Sequence, residues 1–181
     1  AQSLGLELKA AAVNKITLPW ETEAGYGAVA FDGTVRLNGE LIDRLGLTER
    51  QIEEGKARTR EKVRRRMDLL EAEGMDARPV GRTVIVVDDG LASGLTMLTA
   101  IEALRKGGAK QIVSATPTGP GGTVKRVARE VEELYCPNIR SRYPFAVAEA
   151  YRRWSDVPEG EAVAMLRTWL RDSGSDGKGV Q

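Results

Sequence analysis

The sequence predicts an α/β fold: a parallel sheet with flanking helices, to which an antiparallel hairpin is added. Three observations lead to it. From residue 82 onward, short β-branched runs alternate with helix-like stretches, the order that builds a parallel sheet. Val84-Ile85-Val86-Val87 is apolar at every position, as expected of a strand buried on both faces. Asp32-Gly33 sits between two apolar runs, a strong signal for a two-residue hairpin turn.

The elements follow in order. After a short helical stub, Leu8–Ile16 reads as a strand. Thr17–Gly25, with Pro19, Trp20 and the acidic Glu21 and Glu23, reads as a loop. Gly27–Phe31 and Thr34–Leu37 form the hairpin, and Asn38 caps a short helix ending near Gly46. Thr48-Glu49-Arg50-Gln51 matches a capping box, so a long charged helix is expected from there to about Glu73. Its apolar stripe is narrow: Ile52, Val63, Met67 and Leu70. The basic run Arg64–Arg66 is interleaved with acids nearby, which reads as a solvated helix face rather than a phosphate contact.

Arg82–Asp88 is the next strand. Ser93–Lys106 is a helix with Met97, Ile101 and Leu104 on one side, closed by Gly107-Gly108. Gln111–Thr116 is a strand, Thr123–Val131 a helix and Glu133–Cys136 a short strand. Phe145–Trp154 and Pro158–Arg171 read as helices, the second with proline in its first turn. Residues 1–171 are expected to form one domain, and the Gly- and Ser-rich 172–181 a flexible tail.

Composition narrows the chemistry. The chain has 181 residues, enough for a core, with 27 basic and 26 acidic residues and no histidine. That balance exerts no overall pull on nucleic acid or an anionic membrane. The absence of histidine excludes Ser–His and Cys–His nucleophile pairs and His-ligated zinc, leaving acid–base work to Asp, Glu, Lys or Tyr. The single cysteine, Cys136, excludes an internal disulfide framework and reads as a small buried hydrophobe, and a cytoplasmic setting is expected. No apolar run approaches the ~20 residues of a membrane-spanning helix.

The run Val84–Met97 is where the sequence is most informative. An apolar strand ends in two carboxylates, Asp88 and Asp89, at the carboxyl end where open α/β sheets bind ligands. A short loop with Gly90 and Gly94 then runs into a helix. Unpaired N–H groups at such a helix start, with the helix dipole, make an anion site. Ser93 and Thr96 add hydroxyls. A phosphate is thereby placed beside acids able to accept hydrogen bonds from sugar hydroxyls, which describes a sugar phosphate. A phospho-receiver domain also places an acid pair after an apolar strand, but it needs a further Asp at another strand end, and Gln111–Gly119 has none.

The form of this run, four apolar residues, Asp-Asp, a loop, then Ser-Gly-Leu-Thr, resembles the PRPP signature of type I phosphoribosyltransferases. Val13-Asn14-Lys15-Ile16, the hairpin, the charged helix and Phe145–Trp154 are similar to a bacterial and archaeal phosphoribosyltransferase-like family. The resemblance covers about Leu4 to Leu170. It implies the family fold, with the loop Thr17–Gly27 and the hairpin as a flap and a C-terminal helical hood. It implies that Asp88 and Asp89 bind the ribose 2- and 3-hydroxyls, directly or through Mg²⁺. Gly90, Leu91, Ala92, Ser93, Gly94, Leu95 and Thr96 would hold the 5-phosphate. Lys15 would face the diphosphate as a third catalytic residue, and Trp20 and Tyr26 would shield the site or pack the hairpin. In the hood, Tyr143, Phe145, Tyr151 and Trp154 would lie near the base or serve as core and interface residues.

Two departures from the family are visible. The 6-oxopurine enzymes carry Asp where this chain has Ala92, whereas adenine-type enzymes have Ala. Residue 1 falls after the strand and Gly-rich diphosphate loop with which the family begins, so either the chain is a fragment or the protein lacks that loop. The implied activity is transfer of ribose-5-phosphate from PRPP to a nitrogenous base with release of diphosphate. The alternative is a non-catalytic regulator that senses PRPP or a nucleotide in the same pocket. A homo-oligomer, a dimer, is expected, with no membrane association. RNA binding through the long basic helix is the weakest of the readings.

Overall fold

The computed structural model describes residues 1–72, 79–141 and 145–175, so Tyr143 and most of the expected tail lie outside the described residues. In chain order the elements are β1 (Val13–Leu18), β2 (Glu21–Ala30), β3 (Val35–Leu37), α1 (Gly39–Leu45), α2 (Glu49–Ala72), β4 (Thr83–Val87), α3 (Leu95–Lys106), β5 (Gln111–Ala115), β6 (Thr118–Pro120), α4 (Gly121–Ala128), β7 (Glu133–Tyr135), β8 (Asn138–Arg140) and α5 (Glu159–Ser175). Strands β1-β2-β3 form an antiparallel sheet, β4-β5-β7 a parallel one, and β6-β8 a parallel pair. The α/β class with an added antiparallel hairpin is therefore what the chain adopts.

Helix α3 lies between the two larger sheets. The expected stripe Met97, Ile101 and Leu104 packs with Ile112 of β5 in one apolar cluster. Leu98, Thr99, Ala100 and Ala103 are buried as well, because the antiparallel sheet closes the other side of the helix. Arg36 of β3 donates to the Leu98 carbonyl at 3.4 Å, and Lys106 donates to the Thr34 hydroxyl at 3.2 Å. Phe31 packs against both this cluster and a second one built on Ile16, Tyr26, Val29 and Val63, joining the cores.

The local signals for helix starts hold in detail. Asn38 Oδ1 accepts the Leu41 N–H at 3.1 Å. In the capping box, Gln51 N–H donates to Thr48 Oγ1 at 3.3 Å and Thr48 N–H to Gln51 Oε1 at 2.9 Å. Gly33 turns the β2–β3 hairpin with φ +85°. Of the basic run, Arg64 pairs with Glu61 and Asp68, while Arg65 and Arg66 both bond Glu159 in the first turn of α5.

Four expectations are corrected. The strand begins at Val13 rather than Leu8, and the segment read as a loop at Thr17–Gly25 is mostly strand. Pro19 and Trp20 occupy only the turn, and register shifts around Thr17 let the polar stretch keep pairing. Tyr26 is a core residue, 1% exposed, whereas Trp20 is 61% exposed at the turn. Strand β4 is not buried on both faces. It is the end strand of its sheet among the described strands, with Val84 and Val86 packed inward but Ile85 and Val87 42% and 72% exposed. The helix expected at Phe145–Trp154 is a single 3-10 turn, Val147–Ala150, with extended residues on both sides. Its contacts with the candidate site, described next, account for that. The strands β6 and β8 were not expected. They pair through the Thr118-Gly-Pro120 and Asn138-Ile-Arg140 backbones, segments too short to show a periodicity.

Candidate active site

Asp88 follows β4 directly, and its N–H still bonds the Ala115 carbonyl of the neighbouring strand at 3.3 Å. By the two-residue period of a strand, Asp88 continues the inward face of Val84 and Val86. Burial, reinforced by the charge of Asp89, raises its carboxyl to about 6, although the Asp89 N–H donates to Asp88 Oδ1 at 3.0 Å and opposes the shift. Ser114 of the next strand and Thr116 just beyond its end are both buried, and their hydroxyls have no hydrogen-bond partner among the described residues.

The loop from Asp89 to Gly94 is held from outside. Leu91, 1% exposed, anchors it in the core, and its N–H bonds the Thr118 carbonyl at 2.8 Å. A Cβ at Gly90 would stand 2.6 Å from a Val147 methyl, so the turn Val147–Ala150 packs closely on this glycine and a side chain there would displace it. Gly94 begins α3 with φ +74°, and a Cβ there would meet Thr123 of α4 at 2.6 Å. Three loop carbonyls take side-chain donors: Asp89 from Tyr151 Oη at 2.6 Å, Ala92 from Thr123 Oγ1 at 3.0 Å, and Ser93 from Arg126 Nη2 at 2.8 Å. Among the described residues no acceptor is recorded for the N–H groups of Ala92, Ser93 and Gly94. Ala92 and Ser93 are exposed. Donors without an acceptor ahead of a helix N-terminus, two of them on exposed residues and one on the buried Gly94, with their carbonyls occupied elsewhere, make a site suited to an anion.

Of the hood residues, Tyr151 comes next to the acid pair. Loss of solvent and the nearby Asp89 and Asp88 carboxylates raise its hydroxyl above the ordinary value. Trp154 packs against it in a tilted arrangement, ring centroids 5.0 Å apart and planes inclined by 59°. Phe145 is half-buried at the start of the same segment. Lys15 lies inside β1, opposite Ala28, on the other sheet rather than beyond a strand end. Sequence reasoning did not single out Val147, Thr118, Thr123 or Arg126. Their roles arise from contacts between distant segments, and Thr123 was legible only as the start of a helix.

The segment that builds this loop falls within a stretch, residues 32–127, that matches the family model of the phosphoribosyl transferase domain. The chain belongs to that family. Two Mycobacterium tuberculosis proteins, from strains CDC 1551 / Oshkosh and ATCC 25618 / H37Rv, provisionally named phosphoribosyl transferases, are each 31% identical over 173 residues. These cover 95% of this chain but 39% of theirs. The chain thus spans about two fifths of the length of these phosphoribosyl transferase relatives. A ribose-phosphate pyrophosphokinase of Thermococcus kodakarensis is 39% identical over 71 residues, 38% of this chain and 25% of its own. The crystal structure of TT1426 from Thermus thermophilus superposes with a TM-score of 0.70 at 27% identity, covering 93% of this chain and 79% of that one. As a phosphoribosyl transferase domain, the chain carries its acid pair and loop inside the family match and its hood residues beyond it.

Proposed function

We propose that this domain binds PRPP at Asp88–Thr96 and transfers ribose-5-phosphate to a nitrogenous base, releasing diphosphate. The observation that carries the reading is the polarity of the loop. The N–H groups of Ala92, Ser93 and Gly94, without an acceptor among the described residues, lead into α3 a few residues after two carboxylates at a strand's carboxyl end. The 5-phosphate sits on the N–H groups with the hydroxyls of Ser93 and Thr96, while Asp88 and Asp89 take the ribose hydroxyls. The reaction then needs no protein nucleophile. Holding the sugar in place and stabilising the charge that develops as the diphosphate departs supply the rate.

Magnesium fits this donor set. Mg²⁺ favours hard oxygen ligands, commonly one or two carboxylates completed by substrate oxygens and water. Asp88 and Asp89 are adjacent carboxylates, and the charge of Asp89 adds to burial in raising Asp88. When bound, the ion would supply charge neutralisation between the ribose and diphosphate oxygens. Tyr151 and Trp154 form the wall nearest the acids against which a planar base would lie.

The test is calorimetric titration of PRPP with Mg²⁺ against wild type and against Asp88→Asn/Asp89→Asn. Each lost charge-assisted hydrogen bond costs about 1.5–3 kcal/mol, so the double variant is expected to bind about a hundredfold or more weakly with an unchanged circular dichroism spectrum. Equal affinity in a folded variant removes the assignment. Diphosphate release measured across a panel of bases separates transfer from binding alone, since a sensor of PRPP binds it and releases nothing.

A further inference from the structure

We propose that α4 is the template of the phosphate loop, and that Thr123 and Arg126 are positioning residues that set the direction of its peptide groups. The inference rests on the phosphate-loop reading above and adds the residues that make it work. A peptide unit carries its N–H and C=O on opposite sides, so fixing a carbonyl fixes where the next N–H points. The Thr123 hydroxyl holds the Ala92 carbonyl at 3.0 Å, which directs the Ser93 N–H the opposite way. Arg126 holds the Ser93 carbonyl at 2.8 Å, which directs the Gly94 N–H likewise. The two N–H groups so directed are among those without an acceptor in the described structure.

The two side chains are themselves arranged for this. Thr123 and Arg126 stand three residues apart on one face of α4, and Arg126 Nη2 also reaches Thr123 Oγ1 at 3.4 Å. Thr123 is buried, 7% exposed, and its methyl occupies the space a side chain at Gly94 would need. Val124 and Val127 bury the same helix in the core beside Leu91, so the template is rigid where it meets the loop. Without these bonds the 92–93 and 93–94 peptides are free to rotate, and a carbonyl turned toward a phosphate repels it.

Three variants test this: Thr123→Val, which keeps the shape and the methyl contact, Thr123→Ser, which keeps the hydroxyl, and Arg126→Gln. Ribose 5-phosphate and inorganic phosphate serve as probes. Thr123→Val and Arg126→Gln are expected to weaken ribose 5-phosphate binding about threefold to tenfold, the effect of one lost hydrogen bond, with Thr123→Ser close to wild type. In amide NMR without any ligand, hydrogen exchange and relaxation at Ser93 and Gly94 are expected to rise in Thr123→Val and return in Thr123→Ser. A purely structural role of α4 lowers thermal stability in Thr123→Val with neither change, and that result overturns the inference. If wild type binds neither probe, the phosphate reading fails. The amide measurements still decide whether α4 orders the loop: unaltered Ser93 and Gly94 amides in both valine and glutamine variants refute it.

Discussion

The Tyr151 hydroxyl donates a 2.6 Å hydrogen bond to the backbone carbonyl of Asp89, a residue 62 positions earlier in the chain. This bond ties the segment after Val147–Ala150 to the carboxylate pair and brings the Tyr151–Trp154 aromatic pair with it. Tyr151→Phe keeps the ring and removes the tie. The bond is exposed, so water replaces it on the Asp89 carbonyl at little cost to stability. The expected outcome is a melting temperature within about 2 °C of wild type. Affinity for a nucleoside 5′-monophosphate is expected to fall about threefold to tenfold and that for ribose 5-phosphate to change much less. Parallel losses for the two ligands would show that Tyr151 serves the loop and not the base side of the site.

Asp88 makes stability depend on pH in a calculable direction. Its carboxyl rises from 3.8 to about 6 on folding. A folded carboxyl with a raised value holds its proton longer than the unfolded chain does. Wild-type stability is therefore fullest below pH about 4, falls as pH climbs from about 4 to 6, and stays lower above that. The full difference is up to about 3 kcal/mol by the usual conversion. Asp88→Asn removes the slope. In EDTA, urea denaturation is expected to show the variant more stable than wild type at pH 8 and nearly equal at pH 4. Under the proposed function the same variant is expected to bind PRPP–Mg²⁺ more weakly than wild type. A variant less stable than wild type at pH 8 would contradict the argument.

Gly55 on α2 lies against Tyr26, where an added Cβ would stand 2.1 Å from the hydroxyl oxygen. In an open helix Gly→Ala is worth about 1 kcal/mol of stability. Here Gly55→Ala is expected to cost about 1–3 kcal/mol through overpacking. The Tyr26 hydroxyl has only long contacts to the Gln51 and Ile52 carbonyls, 3.4 and 3.5 Å, so little holds it in place energetically. In a Tyr26→Phe background the nearest remaining atoms are Ile16 Cγ2 at 3.0 Å and the ring carbon Cζ at 3.3 Å. The penalty of Gly55→Ala is then expected to fall by at least half. A double-mutant cycle by denaturant unfolding measures this coupling, and additive effects would mean the two residues do not meet as described.

The features legible in the sequence are those carried by short stretches of chain. The Asn38 cap, the Thr48–Gln51 box and the Asp32-Gly33 hairpin each bond within a few residues, so composition and spacing reveal them. The Asp-Asp, Gly and Ser-Gly-Leu-Thr run is likewise local, because a strand end, a loop and a helix start follow one another directly there. What the tertiary structure decided lies at larger separations. Glu21–Ala30 is a strand because β1 and β3 flank it, overriding the polar residues that read as a loop. Phe145–Trp154 is drawn out of helix by Gly90 and the Asp89 carbonyl, 57 residues from Val147 to Gly90 and 62 from Tyr151 to Asp89. Thr123 and Arg126 reach the loop across 31 and 33 residues. No local pattern encodes such contacts. They exist because packing α3 between two sheets brings the ends of β4, β6 and α4 to one place, where the backbone groups left unpaired by the loop take whichever donors the fold supplies.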